Sequence, residues 1–312
     1  MTTSKREGQT FVGASAFARW ASFVKLPHTV FALPFALTGV VLASRVVLPT
    51  IGQIGWVVLA FTAARFAAMA FNRIVDRDVD ARNPRTRLRE IPSGALQLGD
   101  AKLSVVIAGV VFMFASWMLN PLCGILSPVA LAWVLFYSFC KRFTRWSHLV
   151  LGLGLGIAPV GGFLAVTGAW SEPAWMLPVL ALAVMTWSGA FDILYALQDV
   201  AFDRENGLFS LPAALGAPAA LNVARVLHVG TVLLLALVGW ATGGGPLYAL
   251  GVAVVAILLA YEHSLVKPDD LSKLDAAFFT MNGVISISFF TCVLLERVLH
   301  LPTLAELLER AG

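Results

Sequence analysis

Two short runs of this sequence carry oxygen-bearing side chains at a fixed helical interval. In the first, RFAAMAFNRIVDRDVD (65–80), Asn72, Asp76 and Asp80 stand at i, i+4 and i+8. In the second, DILYALQDVAFD (192–203), Tyr195, Asp199 and Asp203 repeat the interval, with Asp192 one turn earlier. An α-helix rises about 1.5 Å per residue, so the spacing predicts three side chains stacked on one face, roughly 6 Å apart. Oxygen ligands of this kind suit a hard cation such as Mg2+ rather than zinc or copper, and no His/Cys cluster accompanies them. Mg2+ keeps several waters and is usually held by a few carboxylates together with substrate phosphate oxygens. Two facing ladders fit two or more Mg2+ ions with a diphosphate between them. Arg65 falls on the Asn72 face, and Lys141 and Arg142 close a later apolar run. Arg and Lys are the natural clamps for phosphate. Tyr137 reads equally as an interfacial anchor or as a hydrogen-bond donor to phosphate.

The rest of the chain must position these groups, and its composition says how. It has 312 residues, 59% hydrophobic and 13% charged, with mean hydropathy +0.83. A soluble domain would carry about 25% charged residues. The chain is therefore read as an all-α polytopic membrane protein. At about 20 residues per span, its length allows about nine crossings and leaves little for a separate soluble domain. The net charge of +4 reflects membrane topology; no nucleic-acid partner is expected. Cys123, Cys140 and Cys292 lie in apolar stretches without CxxC spacing and read as buried free thiols. Lys5 and Arg6 are not followed by a compact apolar region with a small-residue cleavage site, so no cleaved signal peptide is expected.

The expected spans are 23–43, 51–80, 103–119, 125–140, 147–166, 175–203, 219–241, 247–261 and 276–295. A polar segment, 1–19, precedes a single transmembrane domain, 20–300, and a short tail, 301–312, follows it. Pro27 and Pro34 should bend or break the start of the first span. The fifth span is rich in glycine, which lets helix backbones approach closely in lipid. Residues 81–102 read as a basic loop, and 262–275 as a polar loop holding Glu262 and His263. Basic residues crowd alternate connections, Arg45 apart. By the positive-inside rule this gives a cytoplasmic N-terminus, nine spans and both ladders at the cytoplasmic face. The spans then surround a central cavity that opens to that side, lined below the ladders by Phe, Met, Leu and small residues. Such a lining suits a long apolar tail attached to the diphosphate.

The simpler alternative is that acidic residues at helix ends are solvated charges, with Arg77, Arg82 and Arg204 available as surface partners. That is reasonable for one ladder and poor for two matched ones on one membrane face. Asp78 lies off the ladder face and reads as solvated. His28 reads as a packing or interfacial residue, and His148, His228, His263 and His300 show no ligand spacing. An ion-coupled transporter is the rival from another class, because intramembrane carboxylates often mark ion pathways. Against it, the acids cluster at one face instead of crossing the midplane. A CDP-alcohol phosphotransferase would carry a DGxxAR…GxxxDxxxD block, which is absent.

At these residues the chain resembles the UbiA superfamily of intramembrane aromatic prenyltransferases. Its NxxxDxxxD motif is matched by Asn72, Asp76 and Asp80, and DxxYxxxDxxxD by Asp192, Tyr195, Asp199 and Asp203. YSFCKRFT, from Tyr137 to Thr144, is similar to the family's Tyr–Lys-Arg segment. The resemblance covers about residues 20–300. It implies nine helices in a multi-pass protein of the bacterial inner membrane, with Mg2+ on Asp76, Asp80, Asp199 and Asp203. It also implies that Arg65, Asn72 and Lys141 contact a polyprenyl diphosphate. KLPHTVFALPFAL and the second ladder are similar to the 4-hydroxybenzoate polyprenyltransferase-like branch, which implies ubiquinone-type biosynthesis. Some members of that branch serve the futalosine route to menaquinone; within the family the acceptor can also be a porphyrin, chlorophyllide or naphthoate. GLFSLPAALG departs from the commoner pattern, which has a basic or polar residue at Phe209 or Ala214, and this bears on one phosphate or loop contact. Asn72 joins the expected metal set. Tyr137, Arg142, Asp192 and Tyr195 join the expected substrate contacts, and no residue is assigned as general base.

Overall fold

A computed structural model describes residues 15–268, 270–274 and 280–299, with 301, 303 and 306. The expected N-terminal segment up to residue 14, most of the tail, His300 and the side chain of His28 lie outside the described residues. Among the described residues there is no β-strand, only an isolated bridge between Lys267 and Asp270.

Helix α1 (Ala16–Phe23) starts at Ser15, whose side chain accepts from the Ala18 amide at 3.1 Å. Lys25 then breaks the chain before α2 (Leu26–Ala43), which keeps Pro34 inside it. The first expected span is thus α2, with α1 a separate short helix ahead of it. Helix α3 (Ile51–Val75) opens on a Thr50/Gln53 capping box, which satisfies two orphan donors at its N-terminus. It stops one turn before the expected Asp80 and is followed by α4 (Arg77–Arg82). Helices α5 (Leu98–Leu119) and α6 (Pro121–Cys140) turn at Asn120, whose side chain caps α6 through the Cys123 amide at 2.9 Å. Helix α7 (Ser147–Thr167) ends on Gly168 in the left-handed conformation. Helix α8 (Met176–Ala196) gives way to a 3-10 turn (Leu197–Asp199) and α9 (Val200–Glu205), so the sixth expected span is also interrupted. Short α10 (Leu211–Leu215) occupies the expected loop before α11 (Ala217–Ala241). Helix α12 (Pro246–Leu265) runs past the expected end of its span, so Glu262 and His263 are helical and Glu262 is fully buried. Helix α13 (Asn282–Val298) completes the described chain.

Seven of the described helical segments are long and apolar enough to cross a membrane. Helices α2 and α13, with 18 and 17 residues, stand where the first and ninth spans were expected. The protein is an all-helical, multi-pass membrane protein. Helix α8 is the most buried of the long segments and packs on α7 and α11. The glycines of α7 explain how closely it docks. A Cβ on Gly156 would strike the Ala181 carbonyl of α8, and one on Gly162 would strike the Ala36 carbonyl of α2. With no side chain between them, α7 lies backbone to backbone against both neighbours. The core at this junction holds Phe35, Leu180, Val184 and Trp187, with Phe35 and Trp187 at 4.6 Å between ring centroids. On the loop side away from the ladders, Arg45 pairs with Glu296 at 2.8 Å, and Arg297 donates to Ser44 beside it.

Candidate active site

A cavity of about 390 Å3 runs between the helices, within the range typical of small-molecule sites. Both acidic ladders line it: Asn72 from α3, Asp76 from the junction and Asp80 from α4, and Asp192 and Tyr195 from α8, Asp199 from the 3-10 turn and Asp203 from α9. Arg65, Tyr137 and Lys141 line it too. Arg142 reaches it indirectly, donating from Nη2 to Asp76 Oδ1 at 3.0 Å and to the Val75 carbonyl at 2.9 Å. Every residue expected at the site is therefore in one place. Away from the ladders the walls are apolar, including Val57, Phe61, Phe112, Leu126 and Leu155. From Val57 to Asp76 the cavity follows about 28 Å of α3 at 1.5 Å per residue.

The carboxylates are paired, but not with the arginines named from sequence. Arg77 pairs with the exposed Asp78 at 3.2 Å, Arg82 donates to the Asp78 carbonyl, and Arg204 donates to the Ala213 carbonyl. Asp76 pairs with Arg142 at the end of α6, and the arginine partners of Asp80 and Asp199 come from the loop after the first ladder. Arg85 grips Asp199 with Nε (3.0 Å) and Nη2 (2.5 Å) and donates from Nη1 to the Tyr195 hydroxyl at 3.1 Å. Asn83 donates to Asp199 Oδ1 at 3.1 Å. Arg89 holds Asp80 Oδ1 at 2.7 Å. The first ladder's loop thus ties both ladders together. Asn72 donates to Asp76 Oδ2 at 3.0 Å, and Ser210 donates to Asp203 Oδ2 at 2.8 Å. Lys141 stands among the acids. Burial opposes its charge, yet the carboxylates of Asp192, Asp203, Asp199 and Asp76 hold its pKa above the ordinary lysine value.

His148, without a partner in the sequence pattern, sits behind Asp192. Its Nδ1 is 2.7 Å from Asp192 Oδ2, while its Nε2 accepts from the Leu211 amide at 3.3 Å. A neutral ring with Nε2 accepting must donate from Nδ1, so His148 orients the Asp192 carboxylate. Phe209 and Ala214, where the family more often has a basic or polar side chain, are exposed and do not line the cavity. The Phe209 amide instead donates to the Lys141 carbonyl at 2.8 Å, joining this segment to the end of α6. Lys25 also lines the cavity, in a left-handed conformation (φ 48°, ψ 58°) that costs a non-glycine residue about 1–2 kcal/mol.

The donor set fits a hard cation. Its members are carboxylate, amide and phenol oxygens, and the buried Asp80 Oδ2 has no hydrogen-bond partner. Among the described residues, no three His, Cys, Asp or Glu side chains form a ready-made metal cluster. A cation that takes one or two carboxylates and completes its shell with water and phosphate needs none.

Comparison with known proteins agrees with this layout. A model of the UbiA prenyltransferase family matches residues 32–284. The 4-hydroxybenzoate octaprenyltransferase of Sodalis glossinidius (strain morsitans) is 32% identical over 250 residues, 80% of this chain and 84% of that protein. The enzyme of the same name from Aromatoleum aromaticum is 32% identical over 232 residues, 74% of this chain and 77% of its own. Among solved structures, the apo form of a UbiA homolog from Aeropyrum pernix K1 superposes with TM-score 0.79 and 30% identity, covering 86% of this chain and 98% of that one. A UbiA homolog from Archaeoglobus fulgidus bound to DMAPP and Mg2+ shares the fold (TM-score 0.69, 18% identity, 90% of this chain and 99% of that one). The chain is a membrane-embedded prenyltransferase and belongs to the UbiA prenyltransferase family.

Proposed function

We propose that the protein transfers a polyprenyl group from its diphosphate to an aromatic acceptor of the 4-hydroxybenzoate type, with Mg2+ held by Asp76, Asp80, Asp199 and Asp203 and assisted by Asn72. The observation that carries this reading is the single cavity onto which both ladders open, acidic and basic at one end and apolar along its length. The relatives' name, 4-hydroxybenzoate octaprenyltransferase, and the DMAPP- and Mg2+-bound fold relative support the same chemistry. So does the site's location in an apolar helical bundle, where a lipid-tailed substrate resides.

Arg65, Tyr137, Lys141 and Arg142 bind and orient the diphosphate. Arg and Lys neutralise charge that builds on it as the allylic C–O bond breaks, and preorganised charge of this kind is worth most where water is excluded. Mg2+, when bound, supplies further neutralisation of the leaving diphosphate. The electron-rich ring carbon then bonds to the allylic carbon and the ring C–H proton leaves. Asp192, fixed by His148, and Tyr195 position the acceptor beside that carbon. The apolar walls keep water away, which would otherwise capture the allylic cation as an alcohol.

The test is to incubate membranes containing the protein with labelled polyprenyl diphosphate, a panel of aromatic acids and Mg2+, and to identify products by mass spectrometry. Prenylated acid with diphosphate release is expected, lost on chelation and in Asp76→Ala and Asp199→Ala while membrane insertion is intact. Near-normal transfer by either variant would sink the assignment; substrate flux without diphosphate release would identify a transporter.

A further inference from the structure

Two buried cations of the cavity, Lys25 and Arg73, have no part in the diphosphate reading. Lys141 is surrounded by the carboxylates of Asp76, Asp192, Asp199 and Asp203. Lys25, at the break between α1 and α2, has the opposite surroundings: Arg73, Arg89 and Arg65, with Asp80 as the acid. Arg73 has Arg89, Asp80 and Glu90 around it. Each of these acids has one oxygen engaged, while Asp80 Oδ2 and Glu90 Oε2 have no partner. Asp80 Oδ1 accepts from Arg89, and Glu90 Oε1 accepts from Ser22 at 2.7 Å. Arg73 is only 4% exposed and lines the cavity, yet its Nε and Nη1 have no hydrogen-bond partner. Lys25, 6% exposed, also lines it, with its ammonium 5.5 Å from the centre of the Tyr195 ring.

A buried guanidinium whose donors lack partners, such as that of Arg73, is costly unless an anion completes it. The backbone at Lys25 is also held in the one left-handed non-glycine conformation among the described residues. Strain of this kind, at a residue facing a cavity, points to a retained role. Cations outnumber acids around Lys25 and Arg73, where Arg65 and Arg89 stand with Asp80 and Glu90, whereas Lys141 faces four carboxylates, so an anion here needs no metal to offset its charge. It is an anion that takes guanidinium and ammonium hydrogen bonds directly, as a carboxylate does.

We propose that Lys25 and Arg73 form the carboxylate subsite for the aromatic acceptor, so that the enzyme selects an aromatic acid over its neutral analogues. This rests on the reading of the site as an aromatic prenyltransferase. The two anionic substrates then have separate poles: the diphosphate at Lys141 and the ladders, the acceptor carboxylate at Lys25 and Arg73. Tyr195, reached by Lys25 and by Arg85, joins the two.

The test is equilibrium binding of 4-hydroxybenzoate and of methyl 4-hydroxybenzoate to the purified full-length protein, without prenyl diphosphate, by calorimetry. The acid should bind the wild type about 10-fold or more tightly than the ester, the usual scale of a charge-assisted hydrogen bond. Lys25→Met and Arg73→Met should each weaken the acid by about 10- to 100-fold and leave the ester unchanged, and Lys25→Arg should restore binding. Equal binding of acid and ester by the wild type, a comparison that needs no variant to fold, overturns the proposal, as does failure of the acid to bind. So does wild-type affinity for the acid in both methionine variants. Binding of a polyprenyl diphosphate with Mg2+ is measured on the same variants and should not change. A loss matching that for the acid would make the anion at Lys25 the diphosphate and overturn the subsite. Failure of the prenyl-transfer reading shows separately, as absence of prenylated product with every acceptor while the acid still binds.

Discussion

Asp76 and Asp199 occupy the same backbone conformation, φ −89°, ψ 2° and φ −104°, ψ 4°, Asp76 between α3 and α4 and Asp199 at the end of the 3-10 turn between α8 and α9. This bridge region is sparsely populated and recurs at active sites. The match extends to the following acids. Asp80 and Asp203 both lie in the short helices after the break, α4 and α9, and both are buried. The two ladders are therefore bent alike, and each turns its second acid from the line of the long helix toward the shared cavity.

The Arg85–Asp199 fork occupies a carboxylate that a divalent cation would need. Arg85→Ala leaves the Asp199 charge to Asn83 and Lys141, and should lower stability by about 1.5–3 kcal/mol. A cation on Asp199 replaces the missing charge. The melting temperature of detergent-purified Arg85→Ala should rise more with Mg2+ than that of the wild type, because a ligand that binds only the folded state stabilises it. Equal Mg2+ shifts would show that Asp199 does not meet the metal.

His148 holds Asp192 without lining the cavity itself. It is a positioning residue. His148→Ala should lower kcat by about 10- to 100-fold, the cost of a misplaced group, with KM for the prenyl diphosphate unchanged. His148→Asn, whose amide can donate where Nδ1 does, should recover part of kcat. Loss of folded protein in both variants, with normal kcat in what remains, would make the role structural.

The backbone contact of α7 with α8 makes its own prediction. Gly156→Ala puts a methyl group against the Ala181 carbonyl and should destabilise the protein by about 1–3 kcal/mol. Gly230→Ala, in α11 with open space around it, should be neutral or stabilising by up to about 1 kcal/mol. Thermal melts of both in one detergent decide it; equal effects would remove close approach as the reason for the α7 glycines.

The helical membrane architecture and the candidate ligands were legible because both depend on local spacing. Hydropathy marks the spans, and an i, i+4, i+8 pattern survives in sequence even where the helix breaks beneath it. The breaks themselves were not legible, since aspartate at those positions fits the helical period as well as its interruption. Nor were the partners of the acids. Arg85 meets Asp199 across 114 positions, and His148 meets Asp192 across 44. Such contacts arise from how α7, α8 and the loop after α4 pack, which no local window records. Glu262 and His263 were placed in a loop because a hydropathy window ends at charge, whereas packing carries α12 one turn further and buries the glutamate. Arg85 and Arg89 stood in plain view as part of a basic loop, and their i, i+4 spacing opposite two ladders was the signal available.

The central claim is that the two ladders act as one grip on a single diphosphate. A double-mutant cycle on Mg2+-dependent binding of a polyprenyl diphosphate, with Asp76→Asn, Asp199→Asn and the pair, measures it most directly. Either single substitution should cost nearly as much affinity as both together. Independent, additive losses would mean that the two acids serve different ligands, and would contradict the account.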